Sequence, residues 1–228
     1  MPQAAATRRN NQATSTVLEE LRRMIISGEL LPGQQVRQEN MAERLGVSRL
    51  PIREALRQLA ADGMVSHTPN AGYAVARLSV EQFREIYLMR RVLETLVIED
   101  LPRATPQQVK VIADRNYEVQ AAADRLDLPA MRAANQAFHF EIFRLSSLSL
   151  VIGEIEKLWT WASPYHAVYL FSPESRRVVL SEHDQMMTAL RQGDNAALAR
   201  LMDQHRHGSE THIGLTLGGG AVTTPMRG

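Results

Sequence analysis

The stretch Leu45-Gly46-Val47-Ser48-Arg49-Leu50-Pro51-Ile52-Arg53-Glu54-Ala55-Leu56 decides how this chain is read. Gly46 can take the left-handed backbone conformation that ends a helix at low cost. Ser48 is a good N-cap, because its side-chain oxygen can accept from the first free N–H groups. Pro51 falls in the first turn, where its missing N–H costs little. Beyond it Ile52, Ala55, Leu56 and Leu59 repeat at helical spacing and form a core face. Arg49, Arg53 and Arg57 repeat every four residues along another face. The pattern predicts the turn and second helix of a helix-turn-helix, with a row of arginines offered to the major groove of double-stranded DNA. The competing reading is the solvated basic face of an ordinary helix.

Working outward, residues 1 to about 13 are polar and predict a disordered tail. Thr14 or Ser15 can cap a helix to about Ser27, with Val17, Leu21, Met24 and Ile25 on one face, and Gly28 ends it. A second helix is expected over about 38–45, and the arginine helix over 49–62 with Gly63 as its stop. Two short extended runs, 65–68 and 73–77, flank the turn residues Pro69-Asn70-Ala71-Gly72. Residues 14–77 therefore predict a winged helix-turn-helix of three helices and a β-hairpin.

After Arg77 glycine becomes scarce and no strand pattern follows. Prolines 102, 106, 129 and 173, the Ser147–Ser149 corner and Gly193-Asp194 divide the rest into about six amphipathic helices: 79–101, 105–126, 129–147, 149–169, 171–191 and 194–213. Pro164 falls inside the fourth of these and should kink or split it. The fold class expected is mainly α, with an antiparallel six-helix bundle over 78–213 and a flexible tail over 214–228.

Charge is divided between the parts. Residues 1–77 hold 10 Arg/Lys against 7 Asp/Glu, and residues 78–228 hold 16 against 18, within a net charge of +1. A basic front part suits a nucleic-acid module. Aromatic residues are only 5%, which argues against stacking platforms for single strands. There are no cysteines, so disulfides and thiolate metal sites are excluded. No apolar run is long enough to span a bilayer and Met1 to Asn11 does not read as a signal peptide, so the expected location is the cytoplasm.

Taken together, Pro32-Gly33, Arg37, Glu39, Met41-Ala42, Gly46-Val47-Ser48-Arg49, Pro51-Ile52-Arg53-Glu54-Ala55-Leu56, Leu59, Gly63 and Gly72 resemble the N-terminal domain of GntR-type bacterial transcription regulators. The back part resembles the helical effector domain of the FadR subfamily, called FCD, and its six helices are similar to the VanR-like branch. The resemblance implies a homodimer on a palindromic operator, released when a small organic acid binds the bundle. It also implies DNA contacts from Arg37, Ser48, Arg49, Arg53 and the wing tip Asn70 to Gly72. Leu50 and Ala71 depart from the family pattern, which commonly has a hydroxyl residue and a basic residue there.

In the back part the histidines carry the chemistry. His139 follows Asn135 by one helical turn, so the two share a direction. His183 lies on the face of Met187 and Leu190, and His205 on that of Leu198, Leu201 and Met202. Three imidazoles from three helices thus point into the bundle. With the Asn135 oxygen they suit a divalent ion such as Zn²⁺, Ni²⁺ or Mn²⁺, although a lone inward His is more often a hydrogen-bonded core residue. By resemblance the first ligand is usually Asp. Asn135 brings no charge, so weaker metal binding or a greater need for a bound anion is expected.

Arg90 falls within the apolar stripe Phe83, Ile86, Tyr87, Leu93 and Val97, with Glu94 at its border. A charge there is costly unless paired. Either the two form a buried ion pair, or Arg90 holds a ligand carboxylate while Glu94 orients it. Tyr165 and Tyr169, one turn apart, are core or ligand-site residues. The leading function is a ligand-responsive DNA-binding regulator, most simply a repressor and not an enzyme. The alternatives are a metal-dependent hydrolase and a DNA-binding protein whose bundle only dimerises.

Overall fold

A computed structural model describes residues 2–217. The described chain divides into two compact units, one ending at Leu78 and the other beginning at Ser79.

The first unit contains α1 (Pro2–Ile26), β1 (Gln35–Val36), α2 (Gln38–Leu45), α3 (Arg49–Ala61), β2 (Val65–Thr68) and β3 (Gly72–Val75). The strands form an antiparallel sheet in the order β1-β3-β2, with Val36 opposite Tyr73 and His67 opposite the same residue. Leu21 and Met24 of α1 meet Ile52, Leu56 and Leu59 of α3 in a core closed by Val36, Val65 and Val75. The short β1 pairing was not legible beforehand, because two residues carry no alternation to read. Residues 2–13, expected to be a disordered tail, are helical and continuous with α1. The run Ala4-Ala5-Ala6 followed by Arg8 and Arg9 consists of strong helix formers, which outweigh the local polarity.

Gly46 caps α2 with φ 65° and ψ 32°, as expected of a left-handed stop. Ser48 occupies the N-cap of α3 in extended conformation, but its hydroxyl makes no capping hydrogen bond. The reason lies in the sequence. The usual donor to such a cap is the N–H of the second or third helical residue, and the third here is Pro51, which has none. At the hairpin, Asn70 has φ 64° and Gly72 φ 83°. Both are residue types that tolerate the left-handed region.

The second unit holds α4 (Val80–Glu99), α5 (Pro106–Asp124), α6 (Leu128–Phe143), α7 (Ser149–Phe171), α8 (Pro173–Gln192) and α9 (Asn195–Leu217). Two of these starts are full capping boxes, Ser79 with Gln82 and Thr105 with Gln108. Pro164 does not split α7, which runs unbroken through it. Of the flexible tail expected over 214–228, residues 214–217 are the end of α9, and 218–228 lie outside the described residues. Phe83, Tyr87, Phe138, Phe143, Ile98 and Met131 are fully buried and form the centre of this unit. No helix among the described residues is long and apolar enough to cross a membrane.

Candidate effector and metal-binding site

α6, α8 and α9 each bring one buried histidine to the same place. The rings of His139, His183 and His205 lie 5.0–5.1 Å apart, centroid to centroid. One nitrogen of each lies within 4.8 Å of the others. Asn135, one turn before His139 on α6, is buried beside them, and its Oδ1 has no hydrogen-bond partner.

The outer face of this cluster is tied down. Asn116 of α5 donates from Nδ2 to Asp184 (3.1 Å), which leaves its Oδ1 to accept from His183 Nδ1 (3.1 Å). Glu182 accepts from His205 Nδ1 (2.8 Å). Each bond places the ring proton on Nδ1 and leaves an Nε2 lone pair directed away from that partner, the arrangement found behind metal-ligating histidines. His183 Nε2 and both nitrogens of His139 are buried without a partner. Burial, reinforced by the neighbouring imidazoles, pushes the His139 and His183 pKa values well below the usual 6.5, so both rings are neutral and able to donate lone pairs. An unpartnered buried polar atom costs about 1–3 kcal/mol, so such a cluster is expensive unless something accepts those lone pairs. A divalent cation fits this donor set: neutral imidazoles and an amide oxygen, with no competing internal donor.

Next to the histidines is a charged node. Arg90 of α4 donates from Nε to Glu94 (2.7 Å), and Arg206 of α9 donates from Nη1 to the other oxygen of Glu94 (3.0 Å). Trp159 of α7 adds an indole N–H bond to Glu94 (2.8 Å). The Arg90 guanidinium lies over the rings of Trp159 and Tyr87, 4.2 and 4.9 Å from their centroids, while its Nη1 has no partner. Arg90 and Glu94 are 3% and 0% exposed. The Arg90 and Arg206 guanidiniums hold the Glu94 carboxyl below the ordinary range despite its burial. The first sequence reading, a buried ion pair, is what the structure has, and Arg90 Nη1 is left without a partner.

Arg90, Asn135, His205, His166, Tyr169 and Arg206 line a small cavity of about 20 Å³. Tyr169 is thus at the cavity wall. Tyr165 is not: it packs edge-on against Phe83, with centroids 6.1 Å apart. Glu94 also does not line the cavity, and positions Arg90 and Arg206 instead. His166, which no sequence pattern singled out, is buried and hydrogen-bonded to the Tyr87 hydroxyl (2.8 Å). Arg206 and Asn116 were also missed, and neither Glu182 nor Trp159 was given a role at the site. Glu182 and Arg206 adjoin two of the histidines in sequence, and that adjacency was the available signal.

In the first unit Arg37, Ser48, Arg49, Arg53, Arg57 and Asn70 are exposed, and Gly72 is half-buried at the start of β3. Arg49 pairs with Glu39 across the turn (2.9 Å), and Glu54 lies between Arg53 and Arg57 at 3.6 and 3.7 Å. Exposed pairs of this kind are worth little and exchange readily for phosphate.

A winged helix-turn-helix followed by a six-helix unit with a buried polar site defines a class of ligand-responsive transcription regulator. Residues 13–75 match the model described as bacterial regulatory proteins, gntR family, and residues 85–208 match the FCD domain. The chain belongs to the GntR family of regulators that carry an FCD domain. It is 28% identical over 202 residues to the HTH-type transcriptional regulator McbR of Escherichia coli (strain K12), spanning 84% of this chain and 90% of that protein. It is 25% identical over 186 residues to the HTH-type transcriptional repressor RspR of the same organism, spanning 81% and 82%. A GntR-type transcriptional regulator from Rhodococcus sp. RHA1 superposes with a TM-score of 0.76 at 25% identity, covering 88% of this chain and 96% of that one. These relatives are transcription regulators and not enzymes, which sets aside the hydrolase reading.

Proposed function

We propose that the chain is a repressor. It binds a palindromic operator as a homodimer and releases it when a small organic acid enters the helical unit beside a divalent ion held by Asn135, His139, His183 and His205. The observation that carries the reading is the convergence of three buried imidazoles, with unpartnered nitrogens on His139 and His183, and with His183 and His205 fixed from behind by Asn116 and Glu182.

The partners of the first unit follow from its exposed groups. Arg49, Arg53 and Arg57 on α3 enter the major groove, Arg37 and the uncapped Ser48 hydroxyl hold phosphate, and Asn70 to Gly72 form the wing tip. Dimer formation is supported by α4, whose outer face exposes Leu88, Val92 and Leu96 at four-residue spacing, with Met89 beside them. An apolar helical stripe of that kind is a candidate surface for a second copy. Zinc, nickel or manganese suits the donor set.

A bound ion would supply positive charge to a carboxylate oxygen. The chain's own residues do the rest. Arg90 offers its free Nη1 to the acid, Glu94 and Trp159 hold that guanidinium in place, and Tyr169 closes the wall. The cavity is far smaller than the roughly 300–1,000 Å³ of a formed ligand pocket. An acid must therefore part the helices around it, which gives binding a means of changing the unit's shape.

The test is calorimetric titration of small carboxylates into purified protein before and after chelation, with metal content measured on the same sample. Binding that is lost on chelation and in His183→Ala supports the reading. A metal-free protein that binds no acid refutes it and leaves a bundle that only dimerises.

A further inference from the structure

The charge inventory of the second unit points to more than one anionic group. Arg90 and Arg206 share the buried carboxylate of Glu94, and Arg206 also pairs with Asp203. A third buried arginine, Arg132 of α6, is 7% exposed and has neither an ion pair nor a hydrogen bond among the described residues. Its guanidinium pKa is lowered by desolvation alone, as expected for a cation with no counter-charge nearby. Elsewhere in this unit a buried guanidinium has a carboxylate: Arg90 and Arg206 do. A cation that is largely buried, keeps only a narrow contact with solvent and has no partner gains from an anion that reaches it.

Its position is informative. Arg132 precedes Asn135 by three residues and His139 by seven, so all three lie on one face of α6. At about 1.5 Å per residue it stands roughly 10 Å along the helix from His139. Asn135 lines the cavity together with Arg90, and Arg132 stands one turn before Asn135 on the same face of α6. Two cations with unused capacity, one on α4 and one on α6, therefore lie at the cavity or one turn from it.

We propose that Arg132 binds the second carboxylate of a dicarboxylate effector, whose first carboxylate lies at Arg90. The inference rests on the effector reading above and narrows it: the acid has two negative groups separated by a short carbon chain. A monocarboxylate would leave the Arg132 charge unanswered. A dicarboxylate neutralises it and bridges α6 to α4.

The experiment compares succinate, glutarate and adipate with butyrate and valerate by calorimetry on the full-length protein, alongside Arg132→Met and Arg132→Lys. One dicarboxylate is expected to bind at least about tenfold more tightly than the monocarboxylates. Arg132→Met should remove that preference while leaving monocarboxylate affinity within about twofold, and Arg132→Lys should keep part of it. Arg132→Met should also melt no lower than the wild type, since it breaks no ion pair or hydrogen bond and keeps the apolar stem. Equal affinity for both series in the wild type overturns the proposal and leaves the monocarboxylate effector standing. So does an equal loss of both series in Arg132→Met. Failure of every acid in both series overturns the effector reading itself, and this inference with it.

Discussion

Glu94 is the residue on which the most depends. Its two oxygens take bonds from Arg90, Arg206 and Trp159, which come from α4, α9 and α7. Replacing it with Gln takes the counter-charge from buried Arg90 and leaves Arg206 with Asp203 alone. Breaking a buried pair from one side costs about 3–5 kcal/mol, and urea unfolding of Glu94→Gln should show a loss of that size. A cost below 1 kcal/mol would mean that water reaches the node. Asn135 is the opposite case, a neutral residue at a place where charge would help a cation. Asn135→Asp should bind zinc at least tenfold more tightly in a competition assay with a chelating dye, because a carboxylate adds a charged hard ligand beside neutral imidazoles. Unchanged affinity would remove Asn135 from the donor set. The histidines were legible because each sits on an apolar face at helical spacing. The groups behind them were not, because Asn116 is a polar residue on a largely exposed helix, and nothing in its own neighbourhood says which ring it meets.

At the scale of elements, α3 and α4 carry the two surfaces that matter. Arg53 is exposed on α3 and its only ionic neighbour among the described residues is Glu54 at 3.6 Å. Arg53→Ala should weaken operator binding by about 1–3 kcal/mol if it reads a base, and relax preference at one position. If it only neutralises phosphate, binding falls on all sequences alike and the salt slope drops by about one. Fluorescence anisotropy on operator and scrambled duplexes at several salt concentrations separates these. On α4, Val92 is 58% exposed in the middle of the apolar stripe. Val92→Glu should turn a dimer into a monomer in light scattering, with unchanged helicity by circular dichroism. A dimer that survives would place the interface elsewhere. The helices were read well from proline, glycine and periodicity, since those signals act locally. The start of α1 was missed because polarity was read as disorder where helix propensity was the stronger term. Ser48 takes the N-cap position expected of it without the expected hydrogen bond, because the proline that favours the first turn also removes an N–H that the cap would bind.

For the whole molecule, the proposal couples two sites in separate units. An acid can weaken operator binding only as far as it prefers one conformation over the other, and couplings of this kind are typically about 1–3 kcal/mol. Operator affinity should therefore fall about 5- to 150-fold at saturating acid, and by reciprocity the operator should weaken acid binding by the same factor. An acid that binds tightly and leaves operator affinity unchanged would show that the helical unit senses nothing on behalf of the DNA.

The junction between the units sets the conditions for that coupling. The first unit ends at Leu78, and the capping box of α4 begins at the next residue, Ser79, whose hydroxyl and backbone N–H are both engaged by Gln82. Between β3 and α4 the chain runs through Ala76-Arg77-Leu78-Ser79, four residues outside any helix or strand. The same helix carries Arg90, less than three turns further on. Any tilt or slide that a ligand imposes at Arg90 is carried along α4 to its first turn, and from there only the four residues 76–79 lead back to β3. Inserting a few glycines between Leu78 and Ser79 should leave both units folded and both ligands bound, yet render each site indifferent to the other.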